Sequence, residues 1–200
     1  MYEASVILTV LLMIVAAIDY VRRTWIQETK PVLATWILIV FTMGLSCWMY
    51  WNNPQKSWTA NIGVISALVN TSIILMGVIA ANIRYSTLKV AFDKTQILCL
   101  VGGVGIFIMW LITKQPLISY VLVQLIALIG YFATMKRLQK AKSSTEPLFV
   151  WISVLLASLC AIYPAYVKND IFAWIFLARA IPLTAIMIYL IARIKHKARG

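Results

Sequence analysis

The sequence predicts an all-α membrane protein with seven transmembrane helices, and three observations carry that expectation. Hydrophobic residues make up 62% of the 200 positions and charged residues only 12%, whereas about a quarter of a soluble domain is charged. The apolar residues fall into runs close to the roughly 20 residues a helix needs to cross the hydrocarbon core. None of the runs alternates with period two, as the shorter strands of a membrane barrel would. A bilayer solvates such surface, and it demands helices because no water is present to satisfy a bare backbone.

The runs are Ala4–Val21, Val32–Trp51, Thr59–Ile83, Thr95–Ile112, Leu117–Met135, Leu148–Tyr166 and Ile171–Ala192. Pro, Asn, Gly or charge interrupts them, the residues that end helices and open turns. The first run reads as a retained helix and not a signal peptide, because Met-Tyr-Glu is acidic and no small-residue cleavage site precedes Asp19 and Tyr20. Gly102, Gly103 and Gly105 in the fourth run would permit close helix approach. They follow no strand, so they do not form a phosphate loop. Pro182 falls inside the seventh run, where proline kinks a helix.

The net charge of +12 has a topological explanation. Fourteen basic residues, including Arg22, Arg23, Arg84, Lys136, Arg137 and Arg193, fall in alternate loops and the C-terminal tail, and only Lys56, Lys114 and Lys168 fall in the others. The positive-inside rule then places the N-terminus outside and the C-terminus in the cytoplasm. The basic tail RIKHKARG has two readings, a topology signal or a binding site for anionic lipid or nucleic acid, and the charge distribution favours the first. Nucleic acid is not an expected partner. Cys47, Cys99 and Cys160 lie within apolar runs, an odd set that makes no disulfide framework.

The chain also repeats itself. ETKPVLATW (Glu28–Trp36) returns as SSTEPLFVW (Ser143–Trp151). Each copy is a polar linker, a proline and then a tryptophan early in an apolar run. Each run later carries a Cys and a Tyr three residues apart, Cys47 with Tyr50 and Cys160 with Tyr163. A duplication divides the chain into a three-helix unit at 1–94, a linker helix at 95–114 and a second three-helix unit with the basic tail at 115–200. Three helices plus one restore the orientation, so the units are parallel repeats, which place a substrate site near the midplane at their interface.

These residues resemble the SWEET and PQ-loop superfamily in the 3+1+3 layout and the polar loop before each proline-led helix. They resemble more closely an uncharacterised group of bacterial seven-helix membrane proteins with a TKPxxxTW loop, matched by Thr29, Lys30, Pro31, Thr35 and Trp36. WLITKQPLI (Trp110–Ile118) and GYFATMKRLQKAKSSTE (Gly130–Glu146) match two further motifs of that group. The resemblance implies a multi-pass protein of the bacterial inner membrane that moves a small solute by alternating access. It also implies substrate contacts from an Asn in each third helix. Asn70 supplies one; an offset of 109 residues carries it onto Arg179. The superfamily's gate hinge is a proline dipeptide, but here Asp19-Tyr20 and Ala133-Thr134 stand in the corresponding regions and neither keeps the proline. Thr134 and Pro182 are the remaining gate candidates.

Arg179 is the clear charge at membrane depth, where insertion costs roughly 2.5–3.5 kcal/mol. It either lines a cavity and binds an anionic ligand or is a structural Arg that snorkels or bonds carbonyls. Asn70 either lines the same cavity or makes an interhelical hydrogen bond. Gln124 and Asn61 are weaker candidates of the same kind. Most tryptophans fall near run ends, where interfacial anchoring accounts for them; Trp36 and Trp151 stand apart because the repeat pairs them. The one histidine, His196, is in the tail, which leaves no His-based triad or metal site at depth. No acidic pair lies at membrane depth, and the seventh run has no lysine for a retinal Schiff base. No loop in these 200 residues could hold a kinase or nucleotidase. An enzyme is therefore not expected, nor is a cofactor. The expected function is a facilitator of a small polar or anionic solute, contacted by Arg179, Asn70, Trp36, Trp151 and Gln124, with lipid as the other partner and a monomer or homo-oligomer as the working unit. The alternatives are a non-transporting receptor, or an assembly or structural protein of the same fold.

Overall fold

A computed structural model describes residues 1–29, 31–87, 90–140 and 146–197, without the side chains of 133, 134, 136, 137, 140 and 197. The described residues form helices and connecting turns. They are α1 (Tyr2–Trp25), α2 (Leu33–Trp51), α3 (Ile62–Arg84), α4 (Lys94–Thr113), α5 (Pro116–Lys140), α6 (Leu148–Cys160), α7 (Ile162–Val167) and α8 (Ile171–Lys197). Six spans are long and apolar enough to cross a membrane, α6 and α7 together making one of them, and the apolar part of α5 is shorter, Pro116–Phe132. The chain is thus a helical, multi-pass membrane protein by length and composition.

Local chemistry sets the helix ends. Pro116 opens α5, where a missing N–H costs nothing. Pro147 caps α6 and Val32, just after Pro31, caps α2, both with extended backbone; at Pro147 the ring also fixes φ. Asp93 starts α4 with a capping box: its carboxylate accepts from the Gln96 N–H while the Gln96 side chain accepts from the Asp93 N–H. Two differences from the sequence expectation appear. Thr59, Ala60 and Asn61 form a turn before α3 and not its first residues. The sixth span breaks at Ala161 into α6 and the single-turn-and-a-half α7, and the break lies three residues before Pro164, which cannot donate the helical hydrogen bond of its position.

The connections alternate between two ends of the bundle. One end, called here the basic end, carries the α1–α2, α3–α4 and α5–α6 links and the end of α8. There the Tyr85 hydroxyl donates to the Trp25 carbonyl across 2.7 Å, and Arg84 sits 5.0 Å over the Trp25 ring. Asp19, Arg23 and Glu28 form a local ion-pair chain at 2.8 and 3.0 Å. The opposite end carries Trp51 and Trp58, 4.2 Å apart and both exposed, with Lys56 over Trp51, as interfacial anchors do. Trp110 differs: it is buried and stacked on Phe107.

In the bundle, α3 packs between α1 and α2, and α8 packs between α5 and α6. Across the middle, α1 lies on α6 and α2 on α5, while α3 touches α8. α4 lies outside, on α5 and α2. Gly77 brings α3 onto α1 so closely that a Cβ there would collide with Val21, and Gly103 does the same for α4 against Phe41 of α2. Gly105 has nothing within 4 Å, so close approach accounts for Gly103 and not for Gly105. The core is uneven along the bundle axis. Toward the opposite end one cluster joins Met49 and Tyr50 of α2, Val64 of α3, Tyr120 of α5 and Phe172 of α8. Beyond it lie three smaller clusters, centred on Tyr20, Trp36 and Ile74, on Met135, Leu183 and Met187, and on Leu38, Cys99 and Ile126.

Candidate functional site

A cavity of about 180 Å³ opens between the cluster of Tyr20 and Trp36 and that of Leu38, Cys99 and Ile126, and it reaches Tyr131 and Trp151 at the edge of the third. Every long helix except the short α7 contributes to its wall, and Asn70, Arg179, Trp36 and Trp151 all line it. Four residues chosen from sequence for one site therefore do meet. The lining runs from Phe176 and Met43 at mid-bundle to Val32, Asp93 and Glu146 among the loops of the basic end.

Arg179 is placed by the third turn of α8 and is only 9% exposed. Its guanidinium lies 5.4 Å from the Phe176 ring and 5.7 Å from the Tyr131 ring. Cation–π contact of this kind offsets part of the desolvation cost. It satisfies no N–H, and Nε and Nη1 of Arg179 have no hydrogen-bond partner. Among the described residues the ion pairs are those of Arg23, so no carboxylate neutralises Arg179 there. A buried cation with unspent donors is costly unless an acceptor arrives.

Asn70 is buried too, at 5% exposed, but its amide donates to the Met13 carbonyl of α1 at 2.6 Å. It lines the cavity and it also ties α3 to α1, so both sequence readings describe it. Trp36 and Trp151 occupy matching places, each the fourth residue of its helix. Each meets a tyrosine edge-on from the helix before it: Trp36 meets Tyr20 at 4.9 Å, and Trp151 meets Tyr131 at 6.3 Å. The Trp151 Nε1 has no partner.

The other expected site residues lie elsewhere. Gln124 is buried between α5 and α2, where its Nε2 donates to Ser46 Oγ at 2.8 Å, and it does not line the cavity. It acts as a helix–helix tie, because an amide at depth takes whatever partner the neighbouring helix offers. Asn61 is fully buried at the N-cap of α3, toward the opposite end. Pro182 is exposed on α8 and also outside the lining. Its ring leaves the carbonyl of Ala178, the residue just before Arg179, without its helical donor. The side chain of Thr134 lies outside the described residues.

Sequence reading missed the tyrosines and the polar groups at the basic end. Gln96 Nε2 donates to Thr35 Oγ1 at 3.0 Å, binding the linker helix α4 to the rim. The Asp93-x-x-Gln96 spacing was a readable helix-start signal, but nothing in it shows that the start faces a cavity. Beyond the cavity, hydrogen bonds tie the helix ends together. The Tyr50 hydroxyl donates to Asp170 Oδ2 at 2.7 Å and accepts from the Ser57 N–H, while Asp170 Oδ1 caps α8 by accepting from the Ala173 N–H. Comparison of the chain with protein-family models, curated proteins and solved structures gives no match.

Proposed function

We propose that the chain is a SWEET-like facilitator of a small polar or anionic solute, built from two parallel three-helix units that rock about the central cavity. The observation that carries this reading is Arg179: a buried cation with unpaired donors at the wall of a cavity that also gathers Asn70, Trp36 and Trp151. A bundle whose only task was to hold itself together would gain by replacing such a group with an apolar one.

Helix neighbours support the two-unit description. Exchanging α1 with α5, α2 with α6–α7, and α3 with α8 turns each major packing pair into another observed pair, and α4 is the helix left over. The matched Trp–Tyr contacts obey the same exchange. Access from one end at a time is supported by the split core and cavity toward the basic end and the Tyr50–Asp170 seal toward the other. Positive loops assign the basic end to the cytoplasm, so this is an inward-facing arrangement. Opening the far side requires the bond between Tyr50 of the first unit and Asp170 of the second to part. No acidic residue lies beside Asn70 and Arg179 at mid-bundle, so passive movement down a gradient is the simpler coupling.

The second reading is a receptor or assembly protein that binds the same ligand and does not move it. The absence of a proline at Asp19-Tyr20 and Ala133-Thr134 favours it, because the superfamily hinge has no counterpart there. Flux separates the two. Purified protein in liposomes, supplied with a panel of labelled carboxylates, sugars and amino acids, should equilibrate at least one across the wall, and Arg179→Gln should abolish that movement. Binding without flux would leave the receptor, and flux unchanged in Arg179→Gln would remove Arg179 from the site.

A further inference from the structure

We propose that the ligand of this cavity is a carboxylate with a small apolar body, about the size of one ring. The inference rests on the proposed site and not on whether the bound ligand crosses the membrane. Three features point to it.

The first is the unspent guanidinium. Nε and Nη1 of Arg179 are buried and lack acceptors, and a carboxylate supplies two acceptor oxygens in the plane a guanidinium donates into. A neutral hydroxylated ligand could hydrogen-bond Arg179 but would leave its charge uncompensated. The second is size. A cavity of roughly 150 Å³ is enough to take up benzene, and this one is about 180 Å³, room for a ring and a carboxylate. The third is the wall between the polar groups. Met13, Ile39, Ile74 and Val154 present carbon surface, and Trp36 and Trp151 approach from the two units, a surface that favours a flat apolar body.

The test uses full-length protein in detergent, with thermal unfolding followed in benzoate and benzamide at one pH and ionic strength. Benzoate should raise the melting temperature, by about 5 °C or more at a hundred times its Kd. Benzamide, which has the same shape without the charge, should not. Arg179→Gln should lose the benzoate shift. A benzamide shift equal to that of benzoate, or no shift with benzoate, would overturn the assignment. Benzoate flux into liposomes, measured in parallel, separates this idea from the proposed function. Binding without flux keeps the ligand class and removes transport, whereas flux of a neutral sugar without benzoate binding does the reverse.

Discussion

Asn70 on α3 and Arg179 on α8 sit on the wall of one cavity, 109 residues apart in a chain that repeats itself, yet they are in opposite chemical states. Asn70 has spent its amide on the Met13 carbonyl. Arg179 has two guanidinium nitrogens with nothing to donate to. One residue belongs to the packing of its own unit, and the other is held ready for something the protein alone does not supply. The difference shows that a polar residue at membrane depth is not a site by virtue of depth. What sets Arg179 apart is a charged group at the cavity wall whose buried donors are still unmet.

Replacing Arg179 tests the contrast most strongly. Arg179→Gln removes a charge-assisted contact worth about 1.5–3 kcal/mol, so affinity for an anionic ligand should fall about ten- to a hundredfold, measured by isothermal titration. Stability of the ligand-free protein should move the other way in Arg179→Met. Removing an unpaired buried charge and filling its space with carbon should stabilise by about 1–3 kcal/mol, visible as a higher melting temperature without ligand. A drop instead would make Arg179 a structural residue and erase the contrast with Asn70.

The Asn70 side of the comparison predicts smaller, purely structural effects. Gly77→Val places methyl groups where Val21 already sits, on the same α1–α3 contact that Asn70 bridges. Overpacking of this kind costs about 1–3 kcal/mol, and denaturant melts should show it while the Kd for benzoate stays within a few-fold of wild type. Asn70→Ala is the mildest change, costing about 0.6 kcal/mol on the scale of interhelical hydrogen bonds in membranes. If Asn70→Ala removed ligand binding as completely as Arg179→Gln, the two residues would share one role.

Much of this architecture could be read from the chain. Six of the seven apolar runs correspond to observed spans within a few residues, and the fifth falls in α5, whose apolar part is shorter, Pro116–Phe132; hydrocarbon thickness acts on each run separately. Prolines 31, 116 and 147 precede or open α2, α5 and α6, as the loss of one N–H dictates. The repeated loop pointed to Trp36 and Trp151, and the cavity has both. Gln124 could not be sorted from Asn70 and Arg179 in the same way. All three are polar residues in apolar runs, and their sequence surroundings do not say which neighbour waits for them. Gln124 meets Ser46, 78 positions earlier. Asp170, just before the last apolar run, is likewise a buried tie to Tyr50, 120 positions earlier.

Membrane insertion and helix limits are one-dimensional problems: each stretch exchanges water for lipid largely on its own, so composition and punctuation along the chain settle them. The state of a polar group is a three-dimensional problem. Whether Asn70, Gln124 or Arg179 closes its hydrogen bonds depends on which atoms of distant helices arrive within about 3 Å, and only the assembled bundle decided that Met13 would come to Asn70, Ser46 to Gln124, and that two rings but no acceptor would come to the unpaired nitrogens of Arg179.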